Sequence, residues 1–222
     1  MEIELKYLIR DQRTADDVWN GLNERNDAVI ESVEEKIMDA VYFDGADECL
    51  TKEKIAVRVR REGRDLVATV KWGGNGASAL DPTEAALHAR QELNVPAGSE
   101  NWLTEPPADL FGETEIGRRI QALLNGEPLC PLLETRFLRR LIRIEGGVPG
   151  SRLLCEAAVD TGEITAGDRS VPICELELEL LEGEAEAMME LGRELKERYG
   201  LADGVDSKFA RGKRLRNEKT GG

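Results

Sequence analysis

The chain has 222 residues, 41% hydrophobic and 33% charged, and its apolar residues recur in periodic segments throughout, which excludes a disordered chain. A net charge of −14 sets a mean field that repels nucleic acid and anionic membranes, so only a local basic pocket could favour an anion. Cys49, Cys130, Cys155 and Cys174 show neither a C-x-x-C pair nor zinc spacing, no stretch is long and apolar enough to span a bilayer, and the charged start lacks a signal-peptide core; buried thiols in a cytoplasmic protein are expected.

The first predicted strand is Glu2-Ile3-Glu4-Leu5-Lys6, with charged and apolar residues in strict alternation. Glu2, Glu4 and Lys6 stand in a row on one face, about 6–7 Å between successive side chains at the rise of a strand. Thr14 followed by Ala-Asp-Asp predicts a helix N-cap with an acidic first turn, and Val18, Trp19 and Leu22 supply the apolar stripe. A second strand is expected over residues 36–44. A hairpin follows: 55–62 carries Arg58 and Arg60, Gly63-Arg64-Asp65 turns the chain, and 66–72 returns with Thr69 and Lys71 on one face.

The run Gly73-Gly74-Asn75-Gly76 lacks the lysine and hydroxyl of a phosphate loop and precedes no helical pattern, so it reads as a connection. Residues 88–94 alternate as a fifth strand, with His88, Arg90 and Glu92 in phase. Residues 96–107 read as loop, and 114–124 as a helix burying Ile116, Ile120, Leu123 and Leu124. The sixth strand, 133–144, carries Arg136, Arg139, Arg140 and Arg143; the seventh, 153–160, carries Glu156 and Asp160. Glu175, Glu177 and Glu179 line up on the eighth, over 173–181. An amphipathic helix over 184–199 is closed by Gly200, Ser207 caps a final turn or two over 208–212, and 217–222 read as a frayed tail. With no repeat or linker, the chain is expected to form one α+β domain over 1–216.

In a half-solvated sheet the charged face meets water, and that ordinary reading holds for any single strand here. Taken together the charges are sorted. Strands one, seven and eight carry mainly acids; strands three to six carry mainly bases, Arg58, Arg60, Lys71, Arg90 and Arg139. A solvated surface would prefer opposite charges paired across strands. About eight strands also suffice to close a barrel around one small ligand, with helices outside. A closed antiparallel barrel with a charged interior is therefore expected. Bases on one wall and acids on the other suit a polyanion carrying a divalent metal, and close carboxylates would repel one another until a metal binds.

The N-terminal E-x-E-x-K, the V-R-V-R and T-V-K strands, H-x-R-x-E-x-N, the E-x-A-x-D strand, C-E-L-E-L-E-L-L-E-G and the late S-K-x-x-R-G resemble, in this order, the CYTH superfamily, or triphosphate tunnel metalloenzymes. The likeness runs from Glu2 to about Leu215, and the spacing is most similar to the bacterial inorganic triphosphatase branch. It implies an eight-stranded tunnel that hydrolyses the terminal phosphoanhydride of inorganic triphosphate with Mg²⁺ or Mn²⁺. It further implies that Glu2, Glu4, Glu175 and Glu177, joined by Asp160, ligate metal. Lys6, Arg58, Arg60, Lys71, Arg90, Arg139 and Lys208 would hold phosphate oxygens, with Lys6, Glu4 and Glu177 central to catalysis. Glu92, Glu156 and Glu179 would complete the tunnel lining, Glu92 or Glu156 orienting water, with a place near a solvated mouth as the alternative for Glu179. In the sixth strand Arg139 is favoured over Arg136 and Arg140 as the inward residue; His88 suits a substrate or structural contact better than a metal. Members of that branch often carry a histidine-rich helical domain after the tunnel, which this sequence does not show.

Two other functions stay open on the same scaffold. One is hydrolysis or cyclisation of an organic triphosphate such as thiamine triphosphate or ATP, for which Trp72 and Trp102 are candidate contacts; the other is non-catalytic polyphosphate or nucleotide binding. Either a monomer or a homodimer is compatible. Loss of Lys6 or Glu4 is expected to abolish turnover and spare the fold, since each removes a lining charge and no core volume.

Overall fold

The computed structural model describes residues 2–74, 86–146 and 153–218. The described residues form, in order, β1 (Glu2–Leu8), α1 (Gln12–Asn23), β2 (Ala28–Asp44), α2 (Cys49–Lys52), β3 (Ala56–Glu62), β4 (Asp65–Gly74) and β5 (Leu87–Pro96). After a 3₁₀ turn (Glu100–Leu103) come α3 (Glu115–Leu124), β6 (Cys130–Gly146), β7 (Leu153–Ala166), β8 (Arg169–Gly183), α4 (Ala185–Tyr199), β9 (Ala202–Asp203) and α5 (Lys208–Asn217). The strands pair antiparallel in the order β5-β4-β3-β2-β6-β7-β8-β1, and β5 pairs back onto β1, closing an eight-stranded barrel. The two-residue β9 adds to the end of β1.

Period-two alternation divides each strand between bore and exterior. Leu5, Tyr7, Val159, Leu176 and Leu178 point outward and are fully buried beneath α1 and α4. At roughly 1.5–3 kcal/mol for each large side chain taken out of water, this shell is a main source of stability. Across the barrel, Val57, Val59, Ala68 and Val70 pack under α2 and α3 with Leu50, Ile116 and Ile120. The third apolar cluster is internal. Phe137 and Leu133 share the inward parity of Arg139, and with Tyr42, Ile164 and Ile173 they receive Phe209 and Leu215 of α5. The helix enters this closely because Gly212 has no side chain: a Cβ there would lie 2.7 Å from Leu133 Cδ2.

Several boundaries differ from those expected. The N-cap of α1 is Asp11, whose carboxylate accepts from the Thr14 N–H at 2.8 Å, so Thr14 lies within the helix. Strand β2 begins at Ala28 because residues 28–37 pair with β6, although a register shift between Ile30 and Ser32 breaks their alternation. The short α2 has no amphipathic signature; buried Asp44 holds it by accepting from the N–H groups of Gly45, Leu50 and Thr51. Gly73 and Gly74 end β4, whereas Asn75 and Gly76 lie outside the described residues. Helix α5 runs on to Asn217, well past residue 212 and into the tail expected over 217–222, of which residues 219–222 lie outside the described residues. All four cysteines are free. No helix among the described residues is long and apolar enough to cross a membrane.

Candidate active site

The β1–β8 register sets Glu4 opposite Glu179 and Lys6 opposite Glu177; β7 then sets Asp160 opposite Glu175, and β6 sets Arg139 opposite Asp160. A cavity of about 100 Å³ runs along this face, lined on one side by Glu2, Glu4, Glu177 and Glu179 and on the other by Arg58, Arg60, Lys71 and Arg139, with Ser207, Lys208 and Phe209 of the α5 end closing in. Beneath it lies a dense ion-pair cluster. Arg139 donates to both oxygens of Asp160 at 2.8 and 2.6 Å and also reaches Glu177. Lys208 bonds Asp160 at 2.8 Å and Glu177 at 3.0 Å and touches Glu175, while Arg211 donates to Glu175 at 3.0 Å. Lys6 stands 2.7 Å from Glu177 and 3.7 Å from Glu4. Burial alone would raise the Glu177 carboxyl, but Lys208, Lys6 and Arg139 outweigh it and hold Glu177 well below the usual carboxylate range. The same pairs raise the Lys6, Lys208 and Arg139 cations against the cost of their burial.

Nearer the β5 side the balance changes. Lys71 bridges Glu2 at 2.5 Å and Glu92 at 2.6 Å, and Arg90 reaches Glu4 at 3.3 Å. Although burial opposes it, Lys71 holds Glu92 down at about 2. Burial raises Glu2, whose Oε2 is enclosed without a hydrogen-bond partner among the described residues. Glu179 has no cation within ion-pair distance among those residues; burial and the Glu2 charge push it up to about 7. On the opposite wall Arg60 pairs with Glu62, but Arg58 has no carboxylate within ion-pair distance among the described residues. Arg58 meets the Tyr42 hydroxyl at 3.4 Å, its Nε is buried without a partner among the described residues, and burial together with Arg58 lowers Arg60 to about 10. Tyr42 is lowered in turn, because Arg58 outweighs the effect of its burial.

A hard cation therefore fits two carboxylate groups unequally. Asp160, Glu175 and Glu177 bring oxygens within 4.8 Å of one another, but Lys6, Lys208, Arg139 and Arg211 already neutralise them. Glu179 has no cation beside it among the described residues and Glu2 keeps one buried oxygen without a partner, so with Glu4 they offer the cavity the carboxylate donors that Mg²⁺ or Mn²⁺ prefers.

The CYTH domain family profile matches residues 1–212. The chain belongs to the CYTH family. An inorganic triphosphatase of Haemophilus influenzae is 31% identical over 149 residues, a match covering 67% of this chain and 37% of that protein. The CYTH chain thus matches well under half the length of this curated relative. Among solved structures, a provisionally named adenylyl cyclase from Hippeastrum, described as having a dominant triphosphatase activity, superposes with a TM-score of 0.68 at 19% identity, covering 96% of each chain. A provisionally named adenylate cyclase from Bacillus halodurans gives a TM-score of 0.55 at 17% identity, over 95% of this chain and 96% of that one. At such identities the two structures establish the CYTH tunnel fold alone.

Within the CYTH barrel, Glu2, Glu4, Lys6, Arg58, Arg60, Lys71, Arg90, Glu92, Arg139, Glu177, Glu179 and Lys208 all border the cavity. Glu179 is largely buried there and does not sit at a solvated mouth. Asp160 and Glu175 are fully buried behind the wall. Glu156 pairs with Arg143 at 2.6 Å, away from the cavity lining. Arg140 points outward, over the Trp19 ring at 5.5 Å and 3.0 Å from Asp16, while Arg136 pairs with Asp39 on the surface. His88 bonds the Gly204 carbonyl at 2.8 Å. Sequence reasoning missed Tyr42, Phe137, Ser207, Phe209 and Arg211. Parity with Arg139 was available for Phe137, and the i, i+3 spacing from Lys208 for Arg211, but nothing local indicates that α5 enters the barrel.

Proposed function

We propose that this protein is a metal-dependent inorganic triphosphatase, cleaving tripolyphosphate to pyrophosphate and phosphate within one tunnel domain over residues 1–216. One observation carries the reading: in a single enclosed bore, Arg58 lacks a carboxylate partner among the described residues while Glu179, across from it, lacks a cation. A bridging metal–polyphosphate complex satisfies both at once, since phosphate oxygens take the guanidinium and the metal takes the carboxylates. The family and the 31% identical inorganic triphosphatase support this class of substrate.

Arg58, Arg60, Lys71, Arg90 and Arg139 bind successive phosphate oxygens, and Lys6 and Lys208 neutralise the deepest one. Glu2, Glu4, Glu177 and Glu179 would hold Mg²⁺ or Mn²⁺, which when bound neutralises phosphate charge and lowers the pKa of a water. Glu4, kept ionised by Lys6, and Glu177, kept ionised by Lys208, Lys6 and Arg139, accept hydrogen bonds from a water placed in line with the terminal phosphorus. Catalysis rests on positioning and charge, with no histidine in the lining.

Phosphate release from tripolyphosphate, ATP and thiamine triphosphate, each with Mg²⁺ or Mn²⁺, tests the proposal. Preference for tripolyphosphate supports it; cyclic AMP as the main product, or tight binding without turnover, overturns it. A side cavity of about 220 Å³ shares Ala56, Lys71, Arg90 and Phe209 with the bore and adds Ile55 and Trp72, an apolar surface that favours an organic triphosphate as the second reading. Trp102 packs in the outer core and takes no part in it.

A further inference from the structure

Ion pairs fix the ammonium of Lys6, but its aliphatic stem is fixed from outside the bore. The segment after α4 crosses beside β1: Ala202 and Asp203 pair with Leu8 and Tyr7, and the Gly204 N–H donates to the Lys6 carbonyl at 2.8 Å. Lys196 of α4 anchors this strap through Asp203 at 2.6 Å. Gly204 is pressed so tightly on Lys6 that a Cβ would lie 2.6 Å from Lys6 Cγ and 3.0 Å from its carbonyl oxygen. Space, and no unusual dihedral, therefore calls for glycine here. On its other side, Gly204 is held by His88. The His88 Nε2 lies 2.8 Å from the Gly204 oxygen, and a carbonyl only accepts, so Nε2 carries the proton. His88 sits opposite Glu4 in the β5–β1 register and does not line the cavity.

We infer that His88 and Gly204 form a clamp that sets where the Lys6 ammonium stands, with His88 as a positioning residue for the reaction. The strap backbone is one wall of the slot holding the Lys6 stem, and the His88 hydrogen bond keeps that wall in place. The kinetic part of this inference rests on the triphosphatase reading, in which Lys6 holds a phosphate oxygen; the structural part does not. Misplacing such a group by about 1 Å costs on the order of a hundredfold in rate, although no contact to substrate is lost.

The test pairs an activity-independent measurement with kinetics on the full chain. Modification of Lys6 by an amine-reactive reagent is followed by peptide mass spectrometry, with Lys71 as the internal reference. His88→Ala should raise the Lys6 rate about fivefold, the scale of one lost hydrogen bond, and leave Lys71 unchanged. His88→Gln, which can still donate to the carbonyl, should restore the wild-type rate. With tripolyphosphate and Mg²⁺, His88→Ala should lower kcat by roughly ten- to a hundredfold with KM within about threefold. Unchanged Lys6 labelling in His88→Ala overturns the clamp; raised labelling with unchanged kcat overturns its role in turnover. A wild-type protein without turnover overturns the triphosphatase reading, and the labelling alone then decides the clamp. Should Gly204→Ala, which ought to mimic His88→Ala, fail to fold, the His88 pair still decides.

Discussion

Replacing Glu179 by glutamine should make the metal-free protein more stable at neutral pH. In the fold this carboxyl is largely buried, faces Glu2, Glu4 and Glu92, and titrates at about 7 in place of its ordinary 4.5. At about 1.4 kcal/mol for each pH unit between those values, ionising Glu179 in the native state costs about 3 kcal/mol, or roughly 2 kcal/mol once its water-facing part is allowed for. The native protein binds more protons than the unfolded chain between pH 4.5 and 7, so this contribution is fully present below 4.5 and is lost as pH rises through 7. Glutamine keeps the shape and carries no charge. Urea or thermal unfolding of both proteins in chelator, from pH 4.5 to 8, should show the variant gaining on wild type as pH rises to about 7, reaching about 4–8 °C in Tm at pH 8 for a chain of this size. Added Mg²⁺ should stabilise wild type more than the variant, since the ion relieves the same repulsion. Equal Tm values at pH 8, or parallel pH profiles, would refute the reasoning that Glu179 is a strained, cation-seeking carboxylate.

Arg139→Ala removes one of the cations serving Asp160 and Glu177, with Lys208 still on both, and should cost about 2–3 kcal/mol in chemical denaturation, whereas outward Arg140→Ala should cost about 1 kcal/mol and leave turnover intact. Lys6→Ala should abolish tripolyphosphate hydrolysis. Because Lys6 is buried beside Glu177, it should also lower stability by about 2 kcal/mol, less than a full buried pair since Lys208 and Arg139 still serve that carboxylate. Glu177→Ala should remove the response of phosphate release to added Mg²⁺ or Mn²⁺; full metal-dependent activity in that variant would contradict its place in the metal set.

Much of the barrel was legible because strand periodicity is a local property. Alternation at Glu2-Ile3-Glu4-Leu5-Lys6 and at Glu175–Leu180 predicts one charged and one apolar face whatever those faces meet, and the sorting of acids from bases argued that the charged faces look at each other. The family resemblance favoured Arg139 over Arg136 and Arg140, and the β6–β7 register sets Arg139 opposite Asp160 on the cavity face. Boundaries failed where the period was broken or absent, as at residues 28–35 with their register shift, and at α2, which one buried aspartate organises. Thr14 looked like a cap because hydroxyl residues cap helices, but Asp11 three residues earlier supplies the stronger acceptor.

From sequence alone came the faces: which side chains share a strand surface, and that the chain carries both signs of charge in separate sets. Depth and partnership came only with the tertiary structure. Glu175, Glu177 and Glu179 are equivalent in sequence, yet one is sealed against Lys208 and Arg211, one is shared by Lys6, Lys208 and Arg139, and one has no cation within ion-pair distance among the described residues. That ordering depends on α5 reaching into the barrel and on the register by which β5 closes onto β1. Both are contacts between residues far apart in the chain, and the electrostatic environment of a carboxylate is set by what lies within a few ångströms of it, whichever part of the chain supplies it.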